Sequence, residues 1–90
     1  MAEVVWSREA LRQLRAIRTY IAKDNPHAAR RTFLKLLAAS DSLALLPARG
    51  RPIGSRRREL THVRPYLIRY RVKAEVVRIL EVRHAARRPE

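Results

Sequence analysis

Apolar residues recur at two different spacings along this chain, and the spacings separate helices from strands. In the first third they recur every three or four positions, at Ala10, Leu14, Ile17 and Ile21. That is the period of an amphipathic helix, which we predict from about Arg8 to Lys23. Ser7 is the expected N-cap, because its hydroxyl can accept a hydrogen bond from a free amide of the first turn. Residues 3–6 (EVVW) are apolar and β-prone and predict a strand before this helix.

A second amphipathic helix is predicted directly after the first. Asn25 can cap it, and Pro26 suits a first helical position because its missing N–H is not needed there. One side of this helix is apolar or small: Ala29, Phe33, Leu36, Leu37, Ser40, Leu43 and Ala44. We expect it to end near Leu46, since Pro47 disfavours helix at the residue before it. The short junction makes the two helices an antiparallel hairpin.

The second half of the chain changes to a two-residue period. We predict a loop over 48–58, a strand over 60–63, a strand over 66–72, a hairpin connection at 73–75 and a last strand over 76–82. Alternation places Tyr66, Ile68, Tyr70 and Val72 on one face, and Leu67, Arg69, Arg71 and Lys73 on the other. The predicted order β-α-α-β-β-β is that of an α+β fold. Its antiparallel-rich sheet is covered on one face by the helical hairpin, in a single domain spanning residues 1–90.

Charge sharpens this picture. The chain has 90 residues and a formal net charge of +13, from 21 Lys and Arg against eight Asp and Glu. Residues 49–90 carry 13 basic and four acidic residues, whereas residues 1–48 carry eight and four. A compact domain with this imbalance attracts polyanions or acidic proteins. Most of the cations are arginines, which suit paired contacts to phosphate or carboxylate. The main contact surface is therefore expected on the sheet half.

Several classes of function are disfavoured by composition. The chain contains no cysteine, and its three histidines occur without clustered carboxylates, so no metal site and no cofactor are expected. There is no glycine-rich phosphate loop. No apolar run approaches the ~20 residues of a membrane span, and the N-terminus lacks a basic start with an apolar core. The expected compartment is the cytosol, with no membrane partner.

Short motifs in order along nearly the whole chain resemble the RelE/ParE superfamily of toxins from bacterial type II toxin–antitoxin systems. The closest similarity is to its ParE-like, plasmid-stabilisation branch. The motifs are Trp6-Ser7, residues 17–22 (IRTYIA), 25–29 (NPHAA), 46–52 (LPARGRP), 58–60 (REL), 66–72 (YLIRYRV) and 79–87 (ILEVRHAAR).

The resemblance implies a growth-arresting toxin neutralised by a cognate acidic antitoxin in a hetero-oligomeric complex. ParE-like members are associated with inhibition of DNA gyrase, which makes gyrase the first expected target and implies no catalysis. RelE-like members cleave mRNA on the ribosome, which makes a ribosome-dependent endoribonuclease the alternative. A nontoxic basic domain that binds nucleic acid is a third possibility.

The endoribonuclease and the binding hypotheses give different roles to His84 and to several arginines. Cleavage of RNA needs acid–base groups and cations for the phosphorane charge. His84 is the candidate acid–base residue, and Arg69, Arg71 and Arg83 could stabilise charge. RelE-like enzymes usually add a lysine-rich loop and a C-terminal tyrosine; here the 49–58 loop has no lysine and no tyrosine follows His84. We therefore expect a structural role for His84 and no catalytic residue. The candidate antitoxin- and target-binding residues are Arg12, Arg15, Arg58, Arg69, Arg71, Arg83, Arg87 and Arg88.

Overall fold

A computed structural model of the chain describes residues 1–86. It contains five strands and two α-helices in the order β1 (Glu3–Trp6), α1 (Arg8–Ala22), α2 (Pro26–Asp41), β2 (Arg51–Gly54), β3 (Arg57–Leu60), β4 (Tyr66–Lys73) and β5 (Val76–His84). A short 3-10 turn, Ser42–Ala44, follows α2. The α+β class and the helical hairpin are confirmed.

The five strands form one sheet in the order β1-β5-β4-β3-β2. The three pairs between β2 and β5 are antiparallel, and β1 lies parallel to β5 at one edge. Both helices pack on one face of this sheet. Tyr70 and Ile79 from the sheet and Leu14 and Leu36 from the helices are fully buried in the core between them. The opposite face of the sheet therefore carries no helical layer.

Both helices begin at the predicted caps. The Ser7 hydroxyl accepts a hydrogen bond from the amide of Ala10 at 3.0 Å, and the Asn25 side-chain oxygen accepts one from Ala28 at 3.0 Å. Pro26 occupies the first turn of α2. Each cap satisfies an amide that the helix itself leaves without a partner, which fixes where each helix begins.

Three sequence-based boundaries are wrong. The second helix ends at Asp41 rather than near Leu46, because the chain tightens into the 3-10 turn. The expected loop over 48–58 contains β2 and the start of β3. The strand expected at 60–63 instead spans Arg57–Leu60. These two strands pair through a connection at Ser55 and Arg56, whose φ angles are 48° and 59°. Turn positions with positive φ usually hold Asn or Gly, and neither residue occupies these two positions, so the sequence does not predict the turn.

Four hydrogen bonds, one of them fully buried, hold the segment between the helices and β2 against the sheet. The hydroxyl of Tyr70 accepts from the Gly50 amide and donates to the Pro47 carbonyl, both at 2.8 Å. A Cβ on Gly50 would lie 2.8 Å from the Tyr70 ring, so the close approach requires glycine. Arg58 donates to the carbonyl oxygens of Ala48 and Gly50, at 3.2 and 2.7 Å. This geometry accounts for much of the motif at 46–52.

Candidate functional site

The sheet face opposite the helices carries two parallel rows of charged residues that cross the strands. Strand pairing sets both rows, because cross-strand partners point to the same face. One row, here called the paired row, consists of Arg51, Glu59, Arg69, Glu81 and the adjacent Arg83. The other, here called the arginine row, consists of Arg57, Arg71 and Arg78.

The paired row is a chain of ion pairs across four strands. Glu59 is contacted on both sides, by Arg51 Nη2 at 2.8 Å and by Arg69 Nε at 3.0 Å. Arg69 also lies 3.5 Å from Glu81, whose same oxygen accepts from Arg83 Nε at 3.0 Å. Two of the predicted binding residues, Arg69 and Arg83, are therefore engaged with carboxylates of the sheet itself.

Glu59 is the buried centre of this row. Its side chain is 5% exposed, whereas that of Arg51 is 70% exposed. Burial alone would raise the pKa of this carboxyl, but the hydrogen bonds and positive charges of Arg51 and Arg69 outweigh that effect. The pKa of Glu59 is consequently held below its ordinary value. Glu59 is ionised at neutral pH and keeps Arg69 in place.

The arginine row has no carboxylate in it. Arg57 and Arg71 are direct cross-strand partners, and so are Arg71 and Arg78. Between residues 1 and 86, none of these three forms an ion pair, and the buried Nε of Arg57 has no hydrogen-bond partner. Like charges directly opposite one another destabilise a sheet. The row is therefore electrostatically unfavourable in the free protein and complementary to an anionic partner.

The predicted helix residues differ in how available they are. Arg12 forms a two-pronged ion pair with Glu9 on the same exposed face of α1, which lowers the pKa of Glu9. Arg15 is exposed one turn further on. Neither lies on the sheet face, so the structure does not bring the two helix arginines together with Arg71.

The remaining predicted residues have other surroundings. His84 ends β5, where its Nδ1 accepts the Ala86 amide at 3.1 Å and its ring packs edge-on against Tyr66 with centroids 5.6 Å apart. Arg58 binds the carbonyls of the 48–50 segment. Arg87 and Arg88 lie outside the described residues.

Sequence reasoning missed two members of the arginine row, Arg57 and Arg78. The position of Arg78 could have been predicted from the hairpin between β4 and β5. A two-residue turn at Ala74 and Glu75 pairs Lys73 with Val76, and counting back from there places Arg71 opposite Arg78. Arg57 lies at the start of β3, where the sequence predicts a loop, so alternation gives it no face.

Over the described part of the chain, no three His, Cys, Asp or Glu side chains are grouped so that they could hold a metal ion. Within the same residues, neither helix has the length and apolar character needed to cross a bilayer.

Comparison with known proteins agrees with the fold. The chain is 52% identical over 87 residues to "Toxin RelE2" of Caulobacter vibrioides, covering 97% of this chain and 99% of that protein. It is 45% identical over 82 residues to "Putative toxin Y4kP" of Sinorhizobium fredii, covering 89% and 84%. A solved structure titled "Chromosomal ParDE TA system from P. aeruginosa" superposes with a TM-score of 0.80 at 27% identity, covering 93% of this chain and 96% of that one. Residues 4–89 match the family described as "ParE toxin of type II toxin-antitoxin system, parDE", and the chain belongs to that family of toxins.

Proposed function

We propose that this toxin arrests growth by binding a macromolecular target, DNA gyrase, without catalysis of its own. We further propose that a cognate acidic antitoxin neutralises it by covering the arginine row. The observation that carries the proposal is the row itself: three stacked arginines that no carboxylate of the described chain compensates. Such a surface is suited to recognition, since an anionic partner relieves the repulsion between its members.

The surroundings of the candidate catalytic residues favour binding over RNA cleavage. In the endoribonuclease alternative, His84 moves protons while Arg69, Arg71 and Arg83 neutralise the phosphorane. Yet Nδ1 of His84 accepts a backbone amide, and both Arg69 and Arg83 hold carboxylates. Of the three arginines, only Arg71 has no ion pair within residues 1–86. A site for cleavage would first have to break the paired row.

The endoribonuclease alternative stays a second candidate because one relative, at 52% identity, carries the name "Toxin RelE2". The two targets separate in one experiment. We expect the purified protein to inhibit supercoiling by DNA gyrase, and arrested cells to contain intact mRNA. mRNA cut at codon positions, together with normal supercoiling, would instead favour the ribosome-dependent endoribonuclease over the gyrase inhibitor. Normal growth despite soluble expression would instead support a nontoxic nucleic-acid-binding domain.

The His84→Ala variant tests the same distinction within the chain. We expect it to fold and to arrest growth like the parent protein, because its ring packs on Tyr66 and its nitrogen serves only the local backbone. The measurement is growth after induction together with a thermal unfolding curve. A folded variant that has lost toxicity would point to proton transfer at His84.

The Arg71→Gln variant tests whether the antitoxin binds through the arginine row. Replacing Arg71 by Gln removes the central charge, so we expect weaker antitoxin binding and a shallower dependence on salt. The same change should stabilise the free toxin by about 0.2–1 kcal/mol, since it removes two like-charge contacts. A merely structural residue would not weaken binding while raising stability.

Two controls match the charge change. Lys73 lies two residues after Arg71 on β4, and its cross-strand partner is the uncharged Val76. Lys73→Gln therefore removes no like-charge contact between strands and should not raise stability. Arg30→Gln lies on the exposed side of α2 and should leave antitoxin affinity nearly unchanged. Equal losses of affinity in Arg30→Gln and Arg71→Gln would show that only net charge matters and would contradict the assignment of the row.

A further inference from the structure

A second basic region lies at the end of the sheet, away from the arginine row. It is a cleft of about 450 Å³ between α2 and the connection from β3 to β4. Its walls carry three permanent cations and one histidine, and none of its lining residues is acidic: Thr32, Lys35, Ala38, Ala39, Arg49, His62, Val63 and Arg64. The volume falls within the range of about 300–1,000 Å³ typical of small-molecule sites.

Arg49 is held in this cleft by the fold. Its Nη1 donates to the Ser42 hydroxyl at 2.7 Å, and that hydroxyl donates to the Ala39 carbonyl at 2.6 Å. Its Nη2 lies 3.3 Å from both ring nitrogens of His62. These contacts fix the orientation of the arginine before any ligand arrives, which reduces the entropy lost on binding.

The other cations reach the cleft from separate elements. Lys35 projects from α2, while Arg64 comes from the connection after β3, and both are exposed. Neither forms an ion pair within residues 1–86. Ala39 and Val63 supply apolar wall between them. Three convergent cations, a hydroxyl from Thr32 and no competing carboxylate are the surroundings of a bound oxyanion with several negative oxygens.

We propose that this cleft binds phosphate groups, with the guanidinium of Arg49 as its fixed anchor and Lys35 and Arg64 as the closing cations. The phosphate can belong to a free phosphorylated ligand or to a nucleic-acid strand, and the chemistry of recognition is the same. This site is independent of the arginine row and of the choice between gyrase and ribosome.

The test compares two probes, inorganic pyrophosphate and a short single-stranded oligonucleotide, at fixed salt concentration. We expect pyrophosphate to shift the amide resonances of Thr32, His62 and Val63 in NMR spectra of the full chain. Arg49→Lys keeps the charge but removes the fork, and should weaken pyrophosphate binding about tenfold by calorimetry. Lys35→Gln should weaken it severalfold. Arg8→Gln, an equal change of net charge at the start of α1, should leave it unchanged.

The variants also guard against a folding artefact. Arg49→Lys loses its contact with Ser42, so its thermal unfolding is measured alongside. The described contacts of Lys35 include no ion pair, so Lys35→Gln tests the site without disturbing the fold.

If Arg49→Lys and Lys35→Gln weaken the binding of both probes, the phosphate is one presented by nucleic acid. If they weaken the binding of pyrophosphate alone, the ligand is a free phosphorylated molecule. Both results support the site. The proposal is overturned by equal losses in Arg8→Gln, by resonance shifts elsewhere only, or by polyglutamate that displaces pyrophosphate from the cleft at lower concentration.

Discussion

The Glu59→Gln substitution probes the element that holds the open sheet face together. Glu59 is the buried carboxylate between Arg51 and Arg69, with contacts of 2.8 and 3.0 Å. Glutamine has nearly the same shape, but it carries no charge and directs an NH₂ group toward one of the two guanidinium groups. We expect the variant to fold with reduced stability, because Arg69 then lies part-buried with only the more distant Glu81 to compensate it.

The magnitude follows from the exposure of the partners. A hydrogen bond to a charged group is worth about 1.5–3 kcal/mol when it is shielded from water, and the Arg69 side chain is only 24% exposed. The Arg51 contact is worth less than about 1 kcal/mol, because that side chain is 70% exposed. Part of the hydrogen bonding survives in the amide. The expected loss is about 2 kcal/mol, or about 10 °C in melting temperature for a domain of this size.

The assay is thermal and urea unfolding followed by circular dichroism. Glu3→Gln is the control, since Glu3 is exposed on β1 and the substitution changes net charge equally. It should melt within a degree or two of the parent protein. A Glu59→Gln variant that melts with the control would refute the reasoning, because it would mean that the paired row contributes only through net charge.

The same residue makes a prediction about pH. The pKa of Glu59 is lowered in the folded protein from its ordinary value of 4.5. Its stabilisation is therefore fully present above the ordinary value and is lost as the pH falls through the lowered one. The difference in unfolding free energy between the parent and Glu59→Gln should be constant from pH 7 to about 5.5 and shrink below about 4.5. A difference that grows on acidification would contradict this sign.

Two further variants test the backbone supports of the sheet. Tyr70→Phe leaves the Gly50 amide and the Pro47 carbonyl without their shared partner, and should cost about 2 kcal/mol in urea unfolding; an unchanged midpoint would mean that water replaces the hydroxyl. Ala74→Asn combined with Glu75→Gly should raise stability by about 1 kcal/mol, because both positions have positive φ angles, 50° and 63°. A lower melting temperature would contradict that second expectation.

The helical layer could be predicted almost completely from the sequence, because its signals are local. The period of the apolar residues defines each buried stripe, and Ser7, Asn25 and Pro26 act within one turn of the residues they cap. The end of α2 was missed because Ser42 and Leu43 continue the helical pattern while the chain tightens into a 3-10 turn. Nothing local distinguishes the two geometries.

The sheet was less predictable because its partners are distant in sequence. The run of arginines at 56–58 looks like a solvated loop, and it becomes a strand only because β4 supplies an edge for it. Among the binding candidates, Arg69 and Arg71 do lie on one face, as the alternation indicated, and Arg83 joins that face only because of an irregularity in β5. What alternation does not reveal is that two of these three are already paired: Glu59, on a strand that the sequence does not predict, contacts Arg69, and Glu81 contacts Arg83.

One extra residue in β5 determines how charge is divided on the open face. Strict alternation from Val77 and Ile79 would place Glu81 in the core and Val82 in solvent. Instead Tyr70 pairs with Ile79 while Arg69 pairs with Glu81, so Leu80 is a bulge that reverses the faces beyond it. Val82 is thereby buried and Glu81 reaches the paired row, whereas Arg78 precedes the bulge and joins Arg71. The separation between the compensated and the uncompensated arginines thus follows from the bulge, and composition or charge counting alone could not locate it.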